Sequence, residues 1–178
     1  IKADGPEQIA WKKIQFKVSM TGATMSAVDA VPSTTGNVTL KDVSAGSNLN
    51  ISSAFSASAV SGTTQSTIAG DNTGYVSLIL NSEQVISAGA EKEYELQLTF
   101  ANVSGTVGAA SVIASIHRAE TTLVSATTVS GVETATLDGE PSFVWSDYSV
   151  TSHSETSADW ANGVLVKIMP SSLITISN

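Results

Sequence analysis

The sequence predicts an all-β protein: an Ig-like β-sandwich of many short antiparallel strands, with little or no helix. Three observations predict it. Apolar and polar residues alternate with a period of two in segment after segment. Clusters of Gly, Asp, Asn and Ser punctuate those segments at short intervals. Ser and Thr supply the polar face in a chain only 13% charged, against about 25% in ordinary soluble proteins. Thr is β-branched, and Ser and Thr together suit the solvent side of a strand while penalising a helix.

The strands are read in chain order. In "WKKIQFKVSM" (11–20), Ile14, Phe16, Val18 and Met20 point one way and Lys13, Gln15, Lys17 and Ser19 the other. "NVTLKDV" (37–43) and "NLNISSAFSAS" (48–58) follow, the latter with Leu49, Ile51 and Phe55 on one face. "GYVSLIL" (74–80) alternates less cleanly and suits a strand buried on both sides. "EYELQLTFANV" (93–103) is the clearest, with Tyr94, Leu96, Leu98 and Phe100 against Glu95, Gln97 and Thr99. "SVIASIHR" (111–118), "TLVSATTV" (122–129), "SFVWSD" (142–147), "GVLVKIM" (163–169) and "LITIS" (173–177) complete the set. Residues 56–74 read as a long surface loop. A single helical turn is expected at "SADWANG" (157–163), with Ser157 as its N-cap.

Length fits one domain over 1–178. A net charge of −8, with no Lys/Arg cluster to offset it, argues against nucleic acid and against anionic membranes. No apolar run is long enough to span a bilayer, so no direct membrane insertion is expected. There is no cysteine, hence no disulfide and no thiolate chemistry. The sequence starts at Ile1 rather than Met, as expected of a chain that lost a leader or of a fragment.

Catalytic patterns are missing. The bases on offer are His117, late on a strand, and His153, in the polar loop "SVTSHSETS". No G-x-S-x-G elbow precedes a helix. The expectation is that the protein is not an enzyme and needs no cofactor. Asp147, Glu155 and Asp159, with Asp71 in "DNTG", are the acidic residues that could meet on a structural Ca²⁺. The competing reading is that Asp and Asn start turns by bonding nearby amides. Zinc is disfavoured, with no Cys and two histidines far apart. Asn37, Asn50 and Asn102 fit N-x-[ST], as chance allows in a chain this rich in Ser and Thr.

The segment 142–170 holds two of the three tryptophans. Phe143, Trp145 and Trp160 are expected to be a structural plug that closes one end of the core, not a row of exposed rings for stacking sugars. The same stretch, "FVWSDYSVTSHSETSADWANGVLVKIMP", resembles the C-terminal segment of predicted surface proteins from candidate-phylum (Patescibacteria-type) bacteria. "AWKKIQFKV" and "AGAEKEYELQL" resemble an early "WKK" strand and a mid-chain "AG-x-x-K-x-Y-E-L" strand in those proteins. The resemblance implies an exported, Ig-like β protein at the cell surface, in a surface layer or filament, and implies no activity.

The expected function is therefore a non-enzymatic extracellular structural protein that self-associates into a homopolymer, either a pilus-like filament or a surface layer. The alternative is a ligand-binding adhesin or carbohydrate-binding module. Residues 1–20 are the expected joining segment, a donated or swapped N-terminal strand with Ile14, Phe16 and Val18 as its assembly face. "SSLITISN" at the C-terminus is the second such segment.

Overall fold

The computed structural model describes residues 1–24, 38–57, 73–100, 103–106, 108–117, 123–125, 127–129, 142–167 and 173–177, with 52–57 and 165 described by backbone alone. It is nearly all β, in two antiparallel sheets, as expected. The strands are β1 (Ile9–Thr21), β2 (Val38–Asp42), β3 (Ser47–Asn48), β4 (Ile51–Ala57), β5 (Thr73–Ile86), β6 (Tyr94–Leu98), β7 (Ser111–Ile116), β8 (Phe143–Ser146), β9 (Trp160–Asn162) and β10 (Ile174–Ser177). A seven-stranded sheet runs β10-β7-β1-β5-β4, with β8 and β9 added on the β7 side of β1. A three-stranded sheet runs β3-β2-β6.

β1 organises the larger sheet. One of its edges pairs with β5 from Ile9 to Ser19. The other edge takes two partners in tandem: β8 against Ala10–Ile14 and β7 against Phe16–Thr21. Gln15 is the seam between them. Its N–H donates to the Ser142 carbonyl (2.7 Å), and its carbonyl accepts from the His117 N–H (2.9 Å). No main-chain polar group of β1 is wasted where one neighbour hands over to the next.

β1 also contains an irregularity the alternation does not announce. Both ladders shift register between Trp11 and Lys13: against β8 Lys12 is the extra, bulged residue, whereas against β5 the extra residues, Leu80–Glu83, are on β5. By strict period two, Trp11 would share a face with Lys13 and Gln15. The bulge moves it to the Ile14 face, where it is fully buried.

The main core draws from both sheets: Trp11, Ile14, Val18 and Met20 of β1, Val76, Leu78 and Leu80 of β5, and Val38 and Leu40 of β2. Tyr94, Leu96 and Leu98 of β6 pack against it half-buried. A second cluster of Ala10, Val129, Val144 and Trp160 lies apart from this core. The expected solvent face of β1 is corrected here: Lys13 (0% exposed) and Gln15 (1%) are buried, so β1 is enclosed on both faces over its middle. The Gln15 amide donates to Ser77 Oγ at 2.7 Å.

Two local expectations change. Residues 157–163 do not form a helical turn; Trp160–Asn162 is a strand paired with β8. The turn comes one step later, as a 3₁₀ turn at Gly163–Leu165, with the Asn162 side chain accepting from the Val164 N–H. The stretch 163–169, expected as a strand, begins with that turn. The "GYVSLIL" strand is longer than its apolar run, because β5 continues through Asn81–Gln84 to Val85 and Ile86. Most of the expected loop at 56–74, and Asp71 with it, lies outside the described residues.

Candidate functional site

Among the described residues two features could serve a function: a buried polar cluster at His153 and an open apolar groove between the sheets.

The cluster starts from the loop after β8. His153 is 4% exposed at its side chain, and both ring nitrogens meet carboxylates. Nδ1 lies 2.7 Å from Asp159 Oδ2, and Nε2 lies 2.9 Å from Glu83 Oε2 on β5. The ring stacks on Tyr148 (3.7 Å between centroids) and leans on Trp160 (5.3 Å). Tyr148 donates its hydroxyl to Glu83 Oε1 at 3.1 Å. It takes a positive φ of 57° to reach this position. Burial and the neighbouring Glu83 push the Tyr148 hydroxyl up to about 12. Burial alone would raise the carboxyl of Asp159, but hydrogen bonds from Ser157 and His153 outweigh it and hold the group below its ordinary value. Trp160 donates its indole N–H to the Ser154 carbonyl (2.9 Å), which pins the loop from outside. Lys12, the bulged residue, donates to the Asn81 carbonyl (3.0 Å) and pairs with Glu155.

This arrangement is a structural clasp. Ser146 Oγ lies 3.4 Å from His153 Nδ1, but that nitrogen already holds Asp159 at the shorter distance. Ser146 is fully buried and its Oγ accepts from the Tyr148 N–H. A nucleophile needs its base on one imidazole nitrogen and the orienting carboxylate on the other. Here carboxylates occupy both. His117 sits at the end of β7 with its ring against Tyr75 (4.7 Å).

The acidic residues considered for calcium are engaged separately. Asp147 is exposed and accepts from the Ser149 N–H at 3.0 Å, a turn-starting role. Glu155 faces Lys12, and Asp159 faces His153 and Ser157. Among the described residues, no group of three or more His, Cys, Asp or Glu is placed to hold a metal ion.

Phe143, Trp145 and Trp160 divide between the two clusters. Phe143 (5% exposed) joins the main core, where its ring stacks on Trp11 at 6.1 Å. Trp145 shares that face but is only half-buried, and its indole N–H donates to the Asn162 carbonyl at 3.0 Å. Trp160 (0%) belongs to the second cluster with Val144. The ring at the centre of the main core is Trp11, which contacts Tyr94 edge-on at 4.9 Å and donates to its hydroxyl at 3.2 Å. Burial pushes the Tyr94 hydroxyl up. Reading Trp11 as core needed the bulge at Lys12, for which the residues give no signal.

The second feature is larger. The three-stranded sheet ends at β6, and beyond its edge lies a groove of about 1180 Å³. Its floor is Phe16 of β1, Val112, Ala114 and Ile116 of β7, and Ile174 and Ile176 of β10. Leu96, Leu98 and Phe100 form one wall, and Trp11, Phe143 and Trp145 close one end. Lys2, Asp4, Glu93, Glu95 and Lys167 lie at its margins. Lys167 bonds Asp4 (3.0 Å), and the two lysines Lys167 and Lys2 hold the Asp4 carboxyl below its ordinary value.

Of the expected assembly face, Ile14 and Val18 are buried in the chain's own core and Phe16 is half-buried in the groove floor. Within a single chain β1 is a central strand with neighbours on both edges, so donating residues 1–20 would mean breaking both ladders. The C-terminal strand is different. Among the described residues β10 is a sheet edge, and Leu173 (65%), Ile174 (66%) and Ile176 (64%) are exposed.

No family model, curated protein or solved structure matches this chain. No helix among the described residues is long and apolar enough to cross a membrane.

Proposed function

We propose that the protein is a non-enzymatic, extracellular structural subunit that self-assembles at the cell surface, as a filament or a surface layer, on an Ig-like β-sandwich. The observation that carries this reading is a groove left uncovered among the described residues, whose apolar lining lies between β6 and β10, the outer strands of the two described sheets. Apolar surface left in water is costly, and a sheet edge is a template for another chain's backbone. The low charge, the Ser/Thr-rich strand faces and the resemblance to candidate-phylum surface proteins support the extracellular part of the reading.

The test is sedimentation of the purified protein over a concentration series, followed by negative-stain imaging. Ordered filaments or sheets are expected. A monomer at every concentration refutes the reading. The groove also supports a second one, a ligand-binding adhesin, because its volume is slightly above that of ordinary small-molecule pockets, about 300–1,000 Å³, and aromatic rings line it. A monomer whose melting temperature rises on adding an apolar or glycan ligand favours that second reading.

A further inference from the structure

We propose that His153 is a proton-operated latch: it holds the loop 147–159 against β5 while its ring carries both protons, and releases that loop when one proton is lost. The latch is a property of the single chain and stands whether or not copies assemble.

The latch is defined by what each ring nitrogen faces. An ionised carboxylate only accepts, and a neutral imidazole has one N–H and one bare nitrogen. Asp159 Oδ2 stands 2.7 Å from Nδ1 and Glu83 Oε2 stands 2.9 Å from Nε2, the lengths of charge-assisted hydrogen bonds. Both contacts are bonds only when both nitrogens carry a proton. With one proton gone, a nitrogen lone pair is set against a carboxylate, in a site where the ring side chain is 4% exposed and little water reaches it. The second oxygen of each carboxylate already accepts: Glu83 Oε1 from the Tyr148 hydroxyl, and Asp159 Oδ1 from the Ser157 hydroxyl. Both groups thus act as acceptors throughout, and the lowered value of the Asp159 carboxyl agrees with this.

The neighbouring groups leave the control to the ring. Tyr148, stacked on it, keeps its hydroxyl proton until far into the alkaline range, its value being pushed up to about 12. Lys12 of β1 pairs with Glu155 of the same loop, and Asp147 is exposed and accepts from the Ser149 N–H. Histidine is the side chain whose proton exchanges nearest neutral pH. The loop also has something to gain by opening. Tyr148 holds a left-handed backbone (φ 57°), a conformation that persists in a residue other than glycine when its surroundings enforce it. Glu83 holds both Tyr148 and His153, so losing the ring contact loosens the hold on that strained residue as well. The loop carries weight beyond itself: the Trp160 indole N–H donates to the Ser154 carbonyl, and the Val129 N–H to the Glu155 carbonyl at 3.0 Å. Opening it therefore disturbs the second cluster, which contains Val129 and Trp160.

The experiment follows the full chain by NMR from about pH 5 to about pH 9. The ring nitrogen shifts of His153 report how many nitrogens carry a proton. The exchange rate of the Trp160 indole N–H, divided by that of Trp11 in the main core, reports loop opening, and the ratio cancels the pH dependence of exchange itself. Both ring nitrogens are expected to be protonated while the loop is closed. The ratio should then climb by up to about tenfold per pH unit, because opening releases one proton. Glu83→Gln keeps the shape, donates to a bare ring nitrogen and still accepts from Tyr148, so its ratio should stay flat. Tyr148→Phe should still show the climb, which separates the ring from the phenol. A flat ratio in the wild type, or a ring with a single N–H while the loop is closed, overturns the latch. So does a Glu83→Gln ratio that climbs as steeply as the wild type's, or a flat one in Tyr148→Phe. If Glu83→Gln does not fold, the wild-type ring titration and exchange ratio must share one midpoint, and separate midpoints overturn the proposal.

Discussion

Trp11 and Trp160 are each fully buried, in separate clusters, while Trp145 is half-buried at the groove end. Large-to-Ala changes at buried aromatics cost about 3–5 kcal/mol, a large part of a typical domain's stability. Trp11→Ala and Trp160→Ala are therefore expected to lower the urea midpoint strongly and Trp145→Ala clearly less. Equal effects at all three would contradict this division. His153 presents a second test at this scale. Replacing it with Ala leaves the buried Asp159 and the part-buried Glu83 without the imidazole between them, and a buried acceptor that loses its partner costs about 1–3 kcal/mol, so the melting temperature should fall. The same cluster sets a pH window. Asp159 has a lowered folded value, so its stabilisation is present above the unfolded carboxylate range near 3.9 and is lost as pH falls through the folded value. Tyr148 is raised to about 12, so its contribution is complete below pH 10 and is lost as pH climbs from 10 toward 12. Thermal melts against pH should show both losses, and Tyr148→Phe should remove the alkaline one.

At the scale of elements, the turn after β1 is a fixed point. Gly22 has φ +61°, and a Cβ there would lie 2.2 Å from the Ala109 carbonyl oxygen. Left-handed backbone costs an ordinary residue roughly 1–2 kcal/mol, and the clash with main chain adds to it. Gly22→Ala should lower the melting temperature, whereas Gly46→Ala, with φ +67° and open space around it, should lose the backbone cost alone. β10 is expected to behave in the opposite way. Its residues are exposed and it pairs with β7, so ending the chain before Leu173 should leave the melting temperature nearly unchanged; a large fall would show that the strand contributes to the fold. The element boundaries were legible where a strand has one wet face and one apolar face, as in β6. They were not legible in β5 beyond Leu80, because the polar residues Asn81–Gln84 end the apolar run, and only the shifted pairing with β1 continues the strand to Ile86.

At the scale of the whole molecule, the sheets leave one apolar face partly uncovered among the described residues, and the proposed assembly through it should be apolar in character. Association is expected to strengthen with salt, which screens repulsion between copies of charge −8 and leaves apolar contact intact. Dissociation on adding salt would point instead to ion pairing. EDTA is expected to leave folding and assembly unchanged; a fall in melting temperature restored by Ca²⁺ would return the acidic residues to the role of ligands.

The sequence by itself determined the fold class, because period two and turn residues act locally. The pleat puts alternate side chains on opposite faces whatever the topology. It also marked residues 142–170 as unlike the rest of the chain and "LITIS" as a strand. Tertiary structure decided the rest. Which strand is central and which is an edge depends on pairings between residues far apart in sequence, and no local pattern records them. The bulge at Lys12 turned Trp11 from the lysine face to the core, and long-range packing buried Lys13 and Gln15 on the opposite face as well. The His153 clasp joins His153 to Glu83 across 70 residues of chain and holds Asp159 on its other ring nitrogen. Whether a carboxylate near a turn is a cap, a metal ligand or a clasp is set by what long-range packing places opposite it.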